Sequence, residues 1–125
     1  MKMKIENIED AVRIFEENAR IQAETYETGN YKLGNKCFKM YSKCIVYLYE
    51  HNALTSLIPL LKSENVGVRY VSAVNLLPVA EKDSKSVLSE IARGDYGIIC
   101  LNAERALLLW KKGEIIYPYQ SGFVW

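Results

Sequence analysis

Apolar side chains recur every three or four residues along most of this 125-residue chain, and polar side chains fill the positions between them. This period matches one face of an α-helix, and no β-alternation is strong enough to compete with it. The pattern predicts six helices, over about residues 5–24, 31–51, 52–62, 66–79, 84–93 and 98–112. Short polar turns separate the helices, which favours three antiparallel pairs stacked one on the next.

The central pair lies in residues 54–77, LTSLIPLLKSENVGVRYVSAVNLL. Ser63-Glu64-Asn65 has turn and N-cap chemistry, and Pro59 is expected to bend the first helix because proline removes one backbone hydrogen bond. The leucine-proline helix, the polar turn and the following Val-Arg pair resemble one unit of the HEAT/armadillo class of helical repeats. The resemblance implies an all-α fold, an α–α superhelix of about six helices.

Residues 1–113 are predicted to form a single domain of this kind. The remaining residues 114–125, EIIYPYQSGFVW, lack helical periodicity and contain four aromatic side chains. We therefore expect a non-helical aromatic tail, for which two placements are open. It either packs back over the last helix pair as a cap, or it docks elsewhere, for instance on a second subunit.

Composition and charge narrow the class of protein. Half of the residues are hydrophobic and the formal net charge is +1. This balance excludes a disordered polyelectrolyte, and it lacks the basic excess of proteins that bind phosphate backbones. No apolar run approaches the roughly 20 residues of a membrane span, and the acidic start predicts no signal peptide. A cytoplasmic address is expected, and three cysteines used as small buried hydrophobes fit that address.

Candidate chemistry is sparse. His51 is the only histidine, and it follows Glu50 at a predicted helix end, where a cation stabilises the helix dipole. Cys37 and Cys44 with one distant histidine do not have zinc-ligand spacing. No nucleophile elbow or phosphate loop is present. We therefore expect no catalytic residue, no cofactor and no metal, and a protein that is not an enzyme.

A line of polar side chains interrupts the otherwise apolar fourth helix. Arg69, Ser72 and Asn75 are spaced by three residues and lie along one narrow side. These residues form either a partner-binding groove or an internal hydrogen-bond network. For Arg69 a further interpretation is that its guanidinium hydrogen-bonds to the neighbouring turn. If the even-numbered helices line the concave side, polar residues of three helices share one surface. The candidate partner-binding residues are Asn35, Lys39, Arg69, Tyr70, Asn75, Asn102 and Arg105.

Tyrosine is the other surplus, with nine residues in a short chain. Tyrosine is enriched at protein contacts because it contributes contact area at low cost in conformational entropy. The six that cannot all belong to one core are Tyr26, Tyr31, Tyr47, Tyr49, Tyr70 and Tyr96. This surplus favours a protein-binding surface.

Several segments together suggest a family. GNYKLGNKCFKMY, the central pair, VLSEIARGDYG and NAERALLLWKKGE occur in this order, and together they resemble DUF2019, a small bacterial family of unknown function. Gly67 and Ser72 depart from the pattern, and the tail after Gly113 is additional. The resemblance implies a HEAT-like all-α fold without assigned catalytic residues. It also implies an association with immunity proteins found beside bacterial toxins.

Two functions follow as hypotheses. The leading one is a non-enzymatic domain that binds another protein. In its specific version the partner is a toxin domain, which the chain neutralises as an immunity protein. The alternative is a HEAT-like module that binds nucleic acid, because Lys32, Lys36, Lys39 and Lys43 line one side of the second helix. The nearly neutral net charge argues against that alternative. No membrane partner is expected.

Overall fold

Six helices make up the fold, which is seen in a computed structural model that describes residues 4–125. Residues 1–3 of the predicted domain lie outside the described part. They also begin the segment for which no signal peptide was predicted. The elements are α1 (Ile8–Thr28), α2 (Tyr31–Glu50), a 3-10 helix (Leu54–Lys62), α3 (Val66–Leu76), α4 (Glu81–Arg93) and α5 (Ile98–Lys112). Residues 4–125 contain no strand, so the predicted all-α fold is confirmed.

The helices pack as consecutive pairs around one core. α1 packs on α2, the 3-10 helix on α3, and α4 on α5, while α3 also contacts α1, α4 and α5. The central place of α3 follows from its sequence, which is apolar nearly all round. The largest fully buried side chains come from successive elements, among them Phe15, Ile45, Leu57, Leu76 and Leu88.

Asparagine and glycine set the limits of the first helix. The Asn7 side chain accepts a hydrogen bond from the backbone N–H of Asp10 at 2.8 Å, so α1 begins at Ile8 and not at the predicted residue 5. The predicted end at residue 24 is also wrong. The helix continues through the buried Thr25 until Gly29, whose φ of 72° gives the left-handed stop that glycine adopts without strain.

The third element is a 3-10 helix and not the bent α-helix that Pro59 predicted. Proline has no N–H to donate, and its ring crowds the carbonyl four residues earlier, so the α-helical bond is lost there. Leu54 and Leu57 are buried and Leu60 is half-buried. A repeat of three residues matches the three residues per turn of a 3-10 helix, which places this ridge of leucines against the core.

A close helix crossing explains the glycine at position 67. A Cβ atom added to Gly67 would lie 2.3 Å from the Cβ of Ala23 and 3.4 Å from the carbonyl oxygen of Ala19. α1 and α3 therefore approach each other at a point where only glycine fits. The predicted end of α3 at residue 79 is wrong, since the helix ends at Leu76, two residues before Pro78.

The last pair begins earlier than expected. The predicted start at residue 84 is wrong, since the helix begins at Glu81, after Ala80, which makes no side-chain capping bond. Carboxylates in the first turn stabilise this end through the helix dipole. The Trp110 indole N–H donates to the Glu81 carboxylate at 2.8 Å, and this contact ties α5 to the start of α4.

Residues 114–125 form no helix or strand and turn back onto their own domain. They lie on α2 and α3, and not only on the last pair. The Tyr117 side chain is 4% exposed, and its hydroxyl donates to the Val74 carbonyl at 2.7 Å. Phe123 stacks on Phe38 with ring centroids 5.7 Å apart. The tail therefore covers part of the α3 face on which a partner-binding groove was one of the two predicted alternatives.

Candidate functional site

Three turns meet at one end of the helical array, because consecutive helices run in opposite directions. They are the turn between α1 and α2, the turn before α3 and the turn before α5. Glu27, Asn65 and Asp95, from these three regions, line one common cavity. We name this surface the turn edge and define it by residues 29–31, 63–65 and 95–98.

Two asparagines hold the turn edge in place. The Asn30 side chain accepts from the backbone N–H of Leu33 at 3.2 Å and caps α2. The Asn65 side chain does the same for α3, accepting from Val68 at 3.1 Å. Each bond satisfies a backbone donor that the first helical turn leaves free. The side chains beside these caps are therefore presented from a fixed backbone.

The turn before α5 is held by a thiol. Cys100 donates to the Gly94 carbonyl at 3.2 Å and accepts from the backbone N–H of Tyr96 at 3.1 Å. The Arg69 guanidinium lies 5.9 Å from the centre of the Tyr96 ring, a cation–π distance. Cys100, predicted to be a small buried hydrophobe, is half-buried and organises this turn.

The largest cavity of the turn edge has a volume of about 480 Å³ and is lined by carboxylates. Glu24, Glu27 and Asp95 contribute them, and none of the described lining residues is a lysine or arginine. Arg20 pairs with Glu24 at 3.0 Å. Within residues 4–125, no ion pair is formed by Glu27 or Asp95. The cavity therefore has an acidic character that would attract a cationic partner.

Exposed apolar side chains lie beside this cavity. Tyr31 is 82% exposed and Ile98 is 50% exposed, and both line a neighbouring hollow of about 190 Å³. Ile98 and Tyr26 line the hollow and the acidic cavity alike, which makes the two concavities continuous. An exposed tyrosine and an aliphatic side chain next to carboxylates are the residue types of a protein contact.

Tyr26 connects the turn edge to the last helix. Its side chain is half-buried and lies near the Asn102 side chain of α5. Burial raises the pKa of Tyr26, and the nearby Asn102 side chain offsets part of this rise. The phenol stays protonated at neutral pH and can act as a hydrogen-bond donor.

The predicted polar line does not form one groove. The Arg69 guanidinium donates to the Ser63 carbonyl at 2.7 Å, so it binds the neighbouring turn, as one interpretation of the sequence expected. Ser72 is fully buried, and the buried Asn75 amide donates to the Val71 carbonyl of its own helix at 2.9 Å. The last two positions therefore face the interior and the tail, while Arg69 faces the turn edge.

The other candidate residues divide among three places. Tyr70, Asn102 and Arg105 line one hollow of about 290 Å³ between α3, α5 and the start of the tail. Asn35 lines the hollow that contains Tyr31. Lys39 is exposed on α2. The structure thus brings three of the seven together and separates the rest.

Sequence reasoning missed the acidic cavity. Its carboxylates come from the end of α1 and from the turn before α5, about 70 residues apart along the chain, and no periodicity relates them. The tyrosine surplus relates to this region, since Tyr26, Tyr31 and Tyr96 line the two concavities at the turn edge. A useful further signal would have been the carboxylates next to two of these tyrosines in the sequence, Glu27 after Tyr26 and Asp95 before Tyr96.

The remaining reactive residues have structural partners. The His51 ring stacks on Tyr47, and its Nδ1 lies 2.7 Å from the Tyr47 carbonyl at the end of α2. Burial raises the pKa of Cys44 to about 12, so this thiol is protonated at neutral pH. Residues 4–125 contain no group of three or more histidine, cysteine or carboxylate side chains placed to hold a metal ion.

No family model, curated protein or solved structure matches the chain. The resemblances to HEAT/armadillo units and to DUF2019 therefore stay predictions from the sequence motifs. In the part of the chain that the structure describes, no helix combines the length and the apolar character needed to cross a membrane.

Proposed function

We propose that this chain is a non-enzymatic domain that binds another protein through the turn edge. The observation that carries the proposal is Tyr31, which is 82% exposed beside an acid-lined cavity and is held there by the Asn30 cap. A large amphipathic side chain on a fixed backbone loses little entropy on binding, which is the property of an interface anchor.

The carboxylates specify the kind of partner. Glu27 and Asp95 have no ion-pair partner within residues 4–125, so lysine or arginine side chains of a partner can pair with them. A toxin that acts on nucleic acid carries such a basic surface because it must bind phosphates. In the immunity version of the proposal, the chain covers that surface and neutralises the toxin.

Co-expression with the product of the adjacent gene tests the proposal. We expect a complex that co-purifies, and relief of any toxicity of that product. If no complex forms and toxicity is unchanged by this chain, the immunity version is removed.

Matched variants locate the surface. Tyr31→Ala and Ile98→Ala should weaken the complex, by about 30-fold for a side chain that acts as an anchor. The control is Val79→Ala, because Val79 is 45% exposed but lies before α4, at the opposite end of the array. A complex that tolerates both turn-edge changes as well as it tolerates the control would place the interface elsewhere.

One observation favours a second candidate, the nucleic-acid-binding module. Lys32, Lys36, Lys39 and Lys43 are all exposed along α2, and none of them forms an ion pair within residues 4–125. Four phosphate contacts would give binding that falls steeply with salt. A mobility shift titrated with salt tests this candidate, and no shift at low ionic strength would exclude it.

A further inference from the structure

The C-terminal tail lies in a groove between α2 and α3 that we name the tail groove. The helices line it with Phe38, Tyr41, Ser42, Tyr70, Val71, Val74 and Asn75. These side chains are aromatic or aliphatic except for Ser42 and for Asn75, whose amide is bonded to its own helix. The groove is therefore an apolar slot that is occupied by a segment of the same chain.

Proline chemistry leaves one hydrogen-bond acceptor in this groove. In an α-helix the Val74 carbonyl would accept from the backbone N–H of residue 78, but residue 78 is proline and has no N–H. The Tyr117 hydroxyl supplies the missing donor at 2.7 Å. A ligand of the tail groove must therefore bring a hydrogen-bond donor to this point, as well as rings for the apolar walls.

The tail is attached by few polar contacts. The Tyr117 hydroxyl donates a hydrogen bond to the helices. Within the tail, the Tyr117 backbone N–H donates to the Gln120 side chain at 2.7 Å, and the Gln120 backbone N–H donates to the Tyr117 carbonyl at 2.9 Å. Ring contacts supply the rest: Phe123 stacks on Phe38, and Tyr119 stacks on Tyr49 with ring centroids 3.8 Å apart. The tail is thus a preformed turn that is held in the groove by its side chains.

The fit between tail and groove is incomplete. A cavity of about 170 Å³ stays open between them. Ser42 lines this cavity, and its fully buried hydroxyl makes no hydrogen bond to another group of residues 4–125. A ligand that filled the cavity could bond to Ser42, which the tail does not. Gly113, with a φ of 70°, ends α5, and the Glu114 N–H donates to the Leu109 carbonyl at 2.9 Å, so any movement of the tail away from the groove begins after Glu114.

We propose that the tail groove is an exchangeable peptide site, which binds a turn-forming segment of a partner protein after the tail leaves. The chemistry of the tail defines the ligand: a tyrosine that donates to the Val74 carbonyl, followed six residues later by an aromatic ring for Phe38. This site is separate from the turn edge, and it does not depend on the function proposed for that surface.

The probe is a fluorescent peptide with the sequence of residues 114–125, titrated into the full-length chain. The tail competes with the peptide for the groove. The apparent Kd of the peptide therefore equals its intrinsic Kd divided by the fraction of chains whose tail has left the groove. Tyr117→Phe in the chain, but not in the peptide, removes the donor of the tail and keeps its ring. We expect the peptide to bind this variant about fivefold more tightly, the worth of one net hydrogen bond.

Peptide variants and a remote tyrosine are the controls. A peptide with phenylalanine in place of Tyr117 should bind about fivefold more weakly, because Val74 again lacks a donor. Tyr31→Phe in the chain should leave peptide binding unchanged. On binding, the backbone amides of Phe38 and Val74 should shift in NMR spectra, and the amide of Gln120 should lose protection from hydrogen exchange.

Two results would overturn the proposal. One is the absence of saturable binding to the Tyr117→Phe chain at peptide concentrations up to about 1 mM. The other is binding that is equal for the wild-type chain and for this variant. Either result can occur whether or not a partner binds the turn edge.

Discussion

Two aromatic surfaces of this molecule differ in what covers them. In the tail groove, Tyr117 is 4% exposed and its hydroxyl is bonded to Val74, while at the turn edge Tyr31 is 82% exposed. The chain uses its own C-terminal segment to cover the first surface and leaves the second open. The tyrosine surplus thus has two uses, stability at one surface and, as we propose, recognition at the other.

Alkaline pH should have the largest effect, because it acts on all the tyrosines of the tail groove together. Burial raises the pKa of Tyr70 to about 12 and those of Tyr41 and Tyr117 further still, against 10.0 for an exposed tyrosine. Between pH 10 and 12 these phenols ionise in the unfolded chain but not in the folded one. The unfolded state then binds fewer protons, so stability falls as pH rises.

The slope is about 1.4 kcal/mol per pH unit for each such tyrosine, and these groups contribute no dependence well below pH 10. Urea unfolding at about pH 8, 10 and 11, with tyrosinate absorbance as the measure of ionisation, tests the expectation. A free energy of unfolding that stays level from pH 8 to 11 would contradict it.

Replacing one tyrosine at each surface tests the comparison directly. Tyr117→Ala should lower the free energy of unfolding by about 3 kcal/mol, because a buried ring and its hydrogen bond are lost. Tyr31→Ala should change it by less than about 0.5 kcal/mol, as at other exposed positions. Urea denaturation of both variants provides the values. Equal costs would mean that the two surfaces do not differ as described.

The floor of the turn edge is the next place to test. Gly67→Ala should destabilise the chain by about 1–2 kcal/mol, although alanine is the better helix former, since the new Cβ would meet Ala23 at 2.3 Å. Ala23→Gly should restore much of the loss in the double variant, because it removes the atom that collides. Thermal and urea unfolding of the wild-type chain, the two single variants and the double variant would measure this recovery. If the free-energy costs of the two single changes simply add in the double variant, Gly67 and Ala23 are not in the described contact.

The sequence predicted best those parts of the fold that depend on neighbours in the chain. The apolar stripes placed the helices, and Asn65 and Gly113 marked limits that the structure retains. Pro59 was correctly recognised as a disturbance. Its result, a 3-10 helix of nine residues, depended on leucines spaced by three that pack on other helices. Local propensity does not contain that information.

Contacts between distant residues account for most of what the sequence did not predict. Tyr117 meets Val74 across 43 residues, and the need for this contact arises from Pro78, which has no N–H to donate to the Val74 carbonyl. The carboxylates of the turn edge come together in the same way, from separate turns. Residue types were therefore a better guide to the candidate site than the predicted polar line.

The smallest effect should be the coupling between Pro78 and Tyr117. In a Pro78→Ala chain, the new N–H can bond to the Val74 carbonyl, so the hydroxyl of Tyr117 is needed less. Tyr117→Phe should cost about 1 kcal/mol in the wild-type chain and less in the Pro78→Ala chain. A double-mutant cycle measured by urea unfolding gives the coupling. Equal costs in the two backgrounds would show that Pro78 does not create the need for this bond.

The most direct measurement of the central claim is the affinity of the partner from the adjacent gene for the wild-type chain and for Tyr31→Ala, determined by calorimetry. The account predicts that the affinity falls by about 30-fold while the free energy of unfolding stays unchanged. An affinity equal to that of the wild-type chain would contradict the assignment of the turn edge as the recognition surface.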